Sequence, residues 1–197
     1  MPFSAMEQEI WNQAEDIPKF ALQARRLYRF KLKPSSLIFA GSGDSYAAAV
    51  FAQELSMGYA VASDPCELLR RISRVRGKNL VIVSISGKTR ANVELARRSK
   101  RIARERIAVT SNPDSPLAHE CDQTLPLSYR TAETPTPGTI SFTASLIACA
   151  AILRQLPRTI KLDGALSKAR EWATSQGTVG KGSFVFVGSS VNYALSI

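Results

Sequence analysis

Six residues, Ser84-Ile85-Ser86-Gly87-Lys88-Thr89, follow the apolar run at 80–83 and bring three hydroxyls, a glycine and a lysine into one short loop. At the mouth of a helix such a loop suits one small anion, phosphate above all. Hydroxyls and backbone N–H groups donate to its oxygens, Gly87 permits close approach, Lys88 adds charge, and the helix N-terminus adds its partial positive charge. A second loop, Gly41-Ser42-Gly43-Asp44-Ser45-Tyr46, follows another apolar run at 37–40 and adds the Ser42 and Ser45 hydroxyls. The plainer reading of Ser84, Ser86 and Thr89 is that they cap a helix. Two nucleotide readings fail on spacing. A P-loop needs glycine five positions before its Gly-Lys-Thr, and Ile82 stands there. A dinucleotide fingerprint needs a third small residue where Tyr46 stands.

Both loops need a sheet to hold them. Apolar residues at helical spacing predict a helix over 5–30, with Ile10, Trp11, Ala14, Ile17, Phe20, Ala21 and Ala24 on one face. Short apolar runs predict strands at 37–40, 59–62, 80–83, within "RIAVTSN", and at 124–127. Helices are expected between them, over "YAAAVFAQELSM", 67–72 and 91–104. Compact apolar strands alternating with helices mean a parallel sheet covered on both faces, an α/β three-layer sandwich. The expected topology is flavodoxin-like with five strands. Ligands of such sheets sit beyond the carboxyl ends of the strands, which is where both loops fall.

The chain has 197 residues, 45% of them hydrophobic, enough for one domain and part of another. "LIFAGSGDSYAAA" at 37–49 is echoed by "FVFVGSSVNYALS" at 184–196. The echo predicts a duplicated unit, with one domain over 1–158 and a connecting helix plus the start of a second unit over 159–197. Cys66, Cys121 and Cys149 form no C-x-x-C pair, so they read as buried or inert thiols of a reducing compartment. No signal segment or apolar span is visible, and a cytoplasmic location is expected. His119 is the only histidine, so no zinc site is expected, and no other metal or cofactor is implied. Twenty-six Lys and Arg against sixteen Asp and Glu give a charge of +10, attractive to anions in general. Its densest block, "ARRSKRIARER" at 96–106, reads as a solvated helix face. Without interleaved aromatics or a recognition-helix motif there, neither nucleic acid nor membrane is an expected partner.

These motifs together resemble the SIS (sugar isomerase) domain family, most of all the isomerase half of the glucosamine-6-phosphate synthases (glutamine–fructose-6-phosphate aminotransferases). "MEQEIWNQAEDI" is similar to that family's opening helix M-x-x-E-I-x-x-Q-x-x-x-I. "GSGDSY" resembles its first sugar loop, "SISGKT" its Ser-Gln-Ser-Gly-Glu-Thr phosphate loop, and "TAETPTPGTISFT" its G-T-E-x-x-V-A-S-T-K-x-F-T segment. The resemblance covers residues 6 to about 155. It implies that Ser45, Ser84, Ser86 and Thr89 hold the phosphate of a sugar phosphate, with Gly87 and Lys88 beside them as the loop chemistry suggests. Gly43 and Asp44 would lie beside the sugar chain, with Thr136 where the family has a sugar-contacting Val. Ile85 replaces a phosphate-binding Gln, and Lys88 replaces Glu.

The resemblance implies a hexose 6-phosphate ligand, fructose 6-phosphate or glucosamine 6-phosphate, and a homodimer. Aldose–ketose isomerisation needs a base near C1 and C2. In the resembling enzymes that carboxylate, a lysine and a ring-opening histidine come from a second unit or a neighbouring subunit. Glu133 is the acidic candidate within this chain; its plainer role is to organise its own Thr/Pro-rich loop. Three functions stay open: an isomerase or glucosamine-6-phosphate deaminase or aminotransferase module, a non-catalytic phosphosugar sensor, and a phosphoglucose/phosphomannose isomerase of the SIS type.

Overall fold

The computed structural model describes residues 2–28, 32–133 and 138–175. Thr136 and the echo at 184–196 lie outside them. Five strands, β1 (Leu37–Ala40), β2 (Val61–Ser63), β3 (Asn79–Val83), β4 (Glu105–Thr110) and β5 (Gln123–Pro126), form one sheet in the order β2-β1-β3-β4-β5. Every neighbouring pair is parallel, so the topology is the expected flavodoxin-like one. Among the described residues seven α-helices accompany them: α1 (Pro2–Leu27), α2 (Asp44–Leu55), α3 (Pro65–Arg70), α4 (Arg90–Ser99), α5 (Pro116–Glu120), α6 (Ile140–Ile152) and α7 (Asp163–Ser175).

The two-residue period of the strands sorts their side chains into two cores. Phe39, Val81, Val83, Ile107, Val109 and Leu125 face residues of α1, α2 and α6, including Ile17, Phe20, Ala48, Ala52, Ala144 and Ala148. Ile38, Ala40, Leu80, Ile82 and Ala108 face Leu68, Leu95, Ala96 and Leu117 of α3, α4 and α5. Both faces being covered explains why the strands read as unbroken apolar runs rather than alternating ones. The small residues of α2 and α6 let those helices lie close to the sheet and to each other.

Element ends depart from the sequence expectation where tertiary hydrogen bonds compete. A helix over 91–104 is predicted, but α4 stops at Ser99. Beyond it, the Ile102 carbonyl accepts from Gly77 N at 2.8 Å and Arg104 N donates to the Lys78 carbonyl at 2.8 Å, which ties the turn to the neighbouring strand entry. Ile102 and Ala103 still pack inward. The strand expected over 59–62 starts only at Val61, because Gly58 N and Tyr59 N are spent on closing α2.

Arg106 is the buried knot of this region, 3% exposed at the amino end of β4. Its guanidinium donates to the Asp122 carboxylate and to the carbonyls of Ala96 and Glu120, where α4 and α5 end. Three acceptors around one buried cation satisfy the condition for burying a charge. Of the cysteines, burial pushes the Cys149 and Cys121 thiols up to about 12, so they stay protonated as expected of inert thiols. Cys66 corrects that expectation in part, since it is exposed at the start of α3. Among the described residues no helix is long and apolar enough to cross a membrane.

Candidate functional site

Register places the two hydroxyl-bearing loops side by side. Ala40, the last residue of β1, pairs with Ile82, one residue before β3 ends, so the two strands release their chains within a residue of each other at the carboxyl edge of the sheet. The β3 ladder runs one residue further, with Ser84 N donating to the Val109 carbonyl at 2.9 Å. Ser84 is thereby held at 3% exposure at the floor of its loop.

The 84–89 loop is rigidly supported. The Ile85 carbonyl accepts from Ser111 N at 3.0 Å, Ser111 Oγ at 2.8 Å and Thr110 Oγ1 at 2.9 Å. Gly87 turns the chain with φ +63°, and a Cβ there would run into the Ser115 side chain. Glycine is therefore required twice over, by conformation and by space. Ser84 Oγ and Thr89 Oγ1 stand 3.4 Å apart, and Ser86 Oγ accepts from Lys88 N at 3.3 Å. Thr89 is the N-cap residue of α4, yet its side chain makes no capping hydrogen bond. The helix-cap role is filled by neither Thr89 nor Ser84, and their paired hydroxyls are left facing one another at the helix mouth. Lys88 is exposed beside them.

Across the crevice, Gly41 has Ser45 C and O where its Cβ would stand, at 2.5 Å, so only glycine lets β1 turn into α2. Gly43 is the N-cap of α2 with φ +58°, and its carbonyl accepts from Tyr46 N at 2.8 Å and Ala47 N at 3.1 Å. Asp44 is exposed at the first turn of α2, while Ser45 is 8% exposed.

A third wall comes from the segment before α6. Gly138 lies so close to Asp44 that a Cβ would strike its carboxylate. Burial pushes the Tyr129 hydroxyl upward in pKa, partly offset by the neighbouring Ser111 and Ser141 side chains. One face of α1 grips this segment. Glu9 accepts from Ala132 N at 3.0 Å and from Thr139 Oγ1 at 2.6 Å, and Gln13 accepts from Thr143 Oγ1 at 2.6 Å. Asp16 accepts from Arg130 N at 2.8 Å and from its guanidinium at 3.0 Å. Positions 9, 13 and 16 share a helix face, so the polar letters of "MEQEIWNQAEDI" are the handle of this third wall. Glu133 sits on the wall, exposed and outside that grip.

Asn92 is a residue the motifs did not flag. It lies in the first turn of α4, 1% exposed, with Nδ2 3.5 Å from the Val83 carbonyl and Oδ1 without a hydrogen-bond partner. Its signal in the sequence is an Asn three residues beyond the cap Thr, a position where a polar side chain meets the end of the preceding strand. His119 is exposed on α5. Among the described residues no three His, Cys, Asp or Glu side chains cluster as metal ligands would.

The family model described as SIS domain matches residues 32–154, which hold all five strands and both loops. The chain belongs to the SIS domain family. No curated protein sequence matches it. Among solved structures, the C-terminal domain of glucosamine-fructose-6-phosphate aminotransferase from Francisella tularensis is similar at 22% identity, over 87% of this chain and 52% of that one, with TM-score 0.57. Tagatose-6-phosphate ketose/aldose isomerase from Escherichia coli aligns at 17% identity over 96% of this chain and 60% of its own, with TM-score 0.68. An Escherichia coli CFT073 protein solved in complex with A5P aligns at 16% identity over 84% and 87%, with TM-score 0.53. At these identities the likeness is one of fold. This SIS chain spans about half the length of the first of them, 52%.

Proposed function

We propose that this SIS chain binds a hexose 6-phosphate, fructose 6-phosphate or glucosamine 6-phosphate, and takes part in its aldose–ketose isomerisation or its amination and deamination. The observation that carries the reading is the pair Ser84 and Thr89, hydroxyls 3.4 Å apart at a helix mouth and committed to no cap. With Ser86 and the first amides of α4 they donate to the phosphate, Gly87 lets it approach, and Lys88 offsets its charge. Ser45 donates from across the crevice. Gly43 and Asp44 border the sugar chain, with the Asp44 carboxylate accepting a hydrogen bond from a sugar hydroxyl, and Thr136 is carried over from the family pattern as a further sugar contact. Isomerisation takes a proton from one of two adjacent carbons and returns it to the other through an enediol. Glu133 is the carboxylate of the third wall that serves this transfer. In this reading 1–158 is one SIS unit, 159–197 leads to a second, and the unit works as a homodimer in the cytoplasm.

A second reading, phosphosugar sensing, draws on the shortage of proton-transfer groups. In the two loops and the segment 129–143 the only carboxylates are Asp44 and Glu133, and there is no histidine. Melting curves test the common part of both readings: fructose 6-phosphate, glucosamine 6-phosphate or glucose 6-phosphate raises Tm by linkage. No shift with any of the three sinks it. Turnover of a bound sugar phosphate in a coupled assay, lost in Glu133→Gln, separates catalysis from sensing.

A further inference from the structure

The charge of this chain is not spread over its surface. Between Arg70 and Arg104 there are twelve Lys and Arg and one acid, Glu94, so this segment carries +11 and the rest of the chain −1. Two of the twelve, Lys88 and Arg90, belong to the carboxyl edge. The other ten lie on the two stretches that lead into the amino ends of β3 and β4, Arg70 to Lys78 and Arg97 to Arg104. Those stretches are fastened to each other by the Gly77–Ile102 and Arg104–Lys78 backbone bonds, 2.8 Å each, so their cations form one strip along the amino edge.

Little of this charge is spent internally. Arg71 and Arg74 share Glu67, and Arg97 pairs with Glu94 and Glu120. Among the described residues Arg70, Arg76, Arg98, Lys100, Arg101 and Arg104 are exposed and form no ion pair. Arg97 and Arg98 suit the negative end of α4, but helix capping needs no ten-residue strip. Beside the strip a cleft of about 220 Å³ opens between the starts of β1 and β2 and the stretch before β3. Leu37, Val61 and Leu68 line it with apolar surface, and Arg74 and Lys78 are its cationic wall. Tyr59, 63% exposed, and Met57, 82% exposed, belong to the turn that enters β2 at this same edge.

We propose that the amino edge of the sheet binds single-stranded nucleic acid, with phosphates along the arginine strip and an unstacked base at the cleft or on Tyr59. Eight of the ten cations are Arg, whose planar fork grips phosphate oxygens in pairs; Lys serves equally well for mere solubility. A recess beside the strip takes the face of a flipped-out base, which a duplex keeps stacked inside itself. Met57 and Tyr59 project at this edge, as a lipid surface would reward. Leu37 and Leu68 of the cleft, however, are 1% exposed and out of a bilayer's reach, so a recessed base suits the lining better. The sequence alone argues against nucleic acid because the 96–106 block lacks an aromatic. The fold supplies the missing neighbours by setting 70–78 and its cleft beside that block, with the β2 turn farther along the same edge, beyond β1 and β3.

The test is fluorescence anisotropy of a labelled oligo(dT) of roughly 20 nucleotides against the full chain. Binding is expected near ~50 mM KCl and, with about four phosphates neutralised at a slope of about −0.7 each, weakens roughly 50-fold by ~200 mM. The triple variant R76E/R101E/R104E changes exposed, unpaired side chains; it is expected to melt like the parent, to lose oligo(dT) binding more than ~10-fold and to flatten the salt slope. An abasic strand of equal length should bind several-fold more weakly. The proposal is overturned by no binding at low salt, by equal or tighter binding of a duplex, by capture on phosphatidylserine vesicles without oligo(dT) binding, or by a triple variant that binds unchanged. Abasic and oligo(dT) strands binding alike would remove the base from the cleft and overturn that part.

Discussion

The two edges of one sheet present opposite kinds of anion-attracting groups. At the carboxyl edge, hydroxyls and helix N-termini are fixed by backbone: Ile85 is held by three donors, Gly87 is wedged against Ser115, and Ser84 is buried. At the amino edge, long guanidinium side chains stand in solvent on two strand-entry turns. Helix polarity explains the division. In a parallel α/β sheet every helix after a strand starts at the carboxyl edge and ends at the amino edge. The first therefore offers donors of its own and the second must borrow cations. Short, preorganised donors define one small ligand, whereas a flexible cationic strip holds a polyanion loosely and yields to salt.

The sharpest way to break this comparison is at the carboxyl edge. Ser84→Ala with Thr89→Ala removes two donors worth roughly 1.5–3 kcal/mol each to a charged group, so fructose 6-phosphate affinity falls ~100-fold or more by calorimetry. Oligo(dT) binding at the far edge stays within about twofold, as independent sites require. Unchanged sugar-phosphate affinity would mean the hydroxyls serve the loop alone.

Asp122→Ala probes the buried support of the amino edge. It leaves the Arg106 side chain, 4% exposed, with only carbonyl acceptors. The cost expected in urea denaturation is about 2 kcal/mol, below the ~3–5 of fully buried pairs because solvent screens a half-exposed carboxylate. Parent-like stability would show that the Ala96 and Glu120 carbonyls suffice.

Glu9→Gln keeps the size of the side chain but turns one acceptor of the Ala132 and Thr139 bonds into a donor. Hexose phosphate binding should weaken about 5-fold, near 1 kcal/mol, while inorganic phosphate binding stays put. Equal losses for both ligands would move the role of the third wall from the sugar to the whole site.

The smallest effect is on pH. The hydrogen bonds from the Arg106 side chain hold the Asp122 carboxyl below the usual carboxylate range. A lowered folded value means the unfolded chain binds the proton more readily. The pair therefore contributes its stability above the ordinary carboxylate pKa and loses it as pH falls through the lowered folded value. Between about pH 5 and 3 the parent should lose under ~1 kcal/mol more than Asp122→Asn, since solvent screens this carboxylate. Parallel curves would assign the acid sensitivity to other carboxylates.

The primary sequence was enough for the layers, the strand count and both loops, because these depend on local facts. Unbroken apolar runs mark doubly covered strands, and glycines at 41, 43 and 87 mark turns no other residue makes. The motif letters Glu9 and Gln13 were also visible, though not their partners 123 and 130 residues away. Local reading failed where a partner comes from elsewhere in the chain. The predicted helix to 104 ends at Ser99 because Gly77 and Lys78 claim its backbone groups. Asn92 reads as an ordinary helix residue until Val83 is set against it. Whether Thr89 caps its helix depends on where the Ser84 hydroxyl lies, and whether "ARRSKRIARER" is a lone solvated face depends on what lies beside it. Composition fixed that the chain is basic; only the packing of α3 and α4 against the sheet gathered that charge on one edge, because through-space distance, not sequence distance, decides which charges and hydroxyls act together.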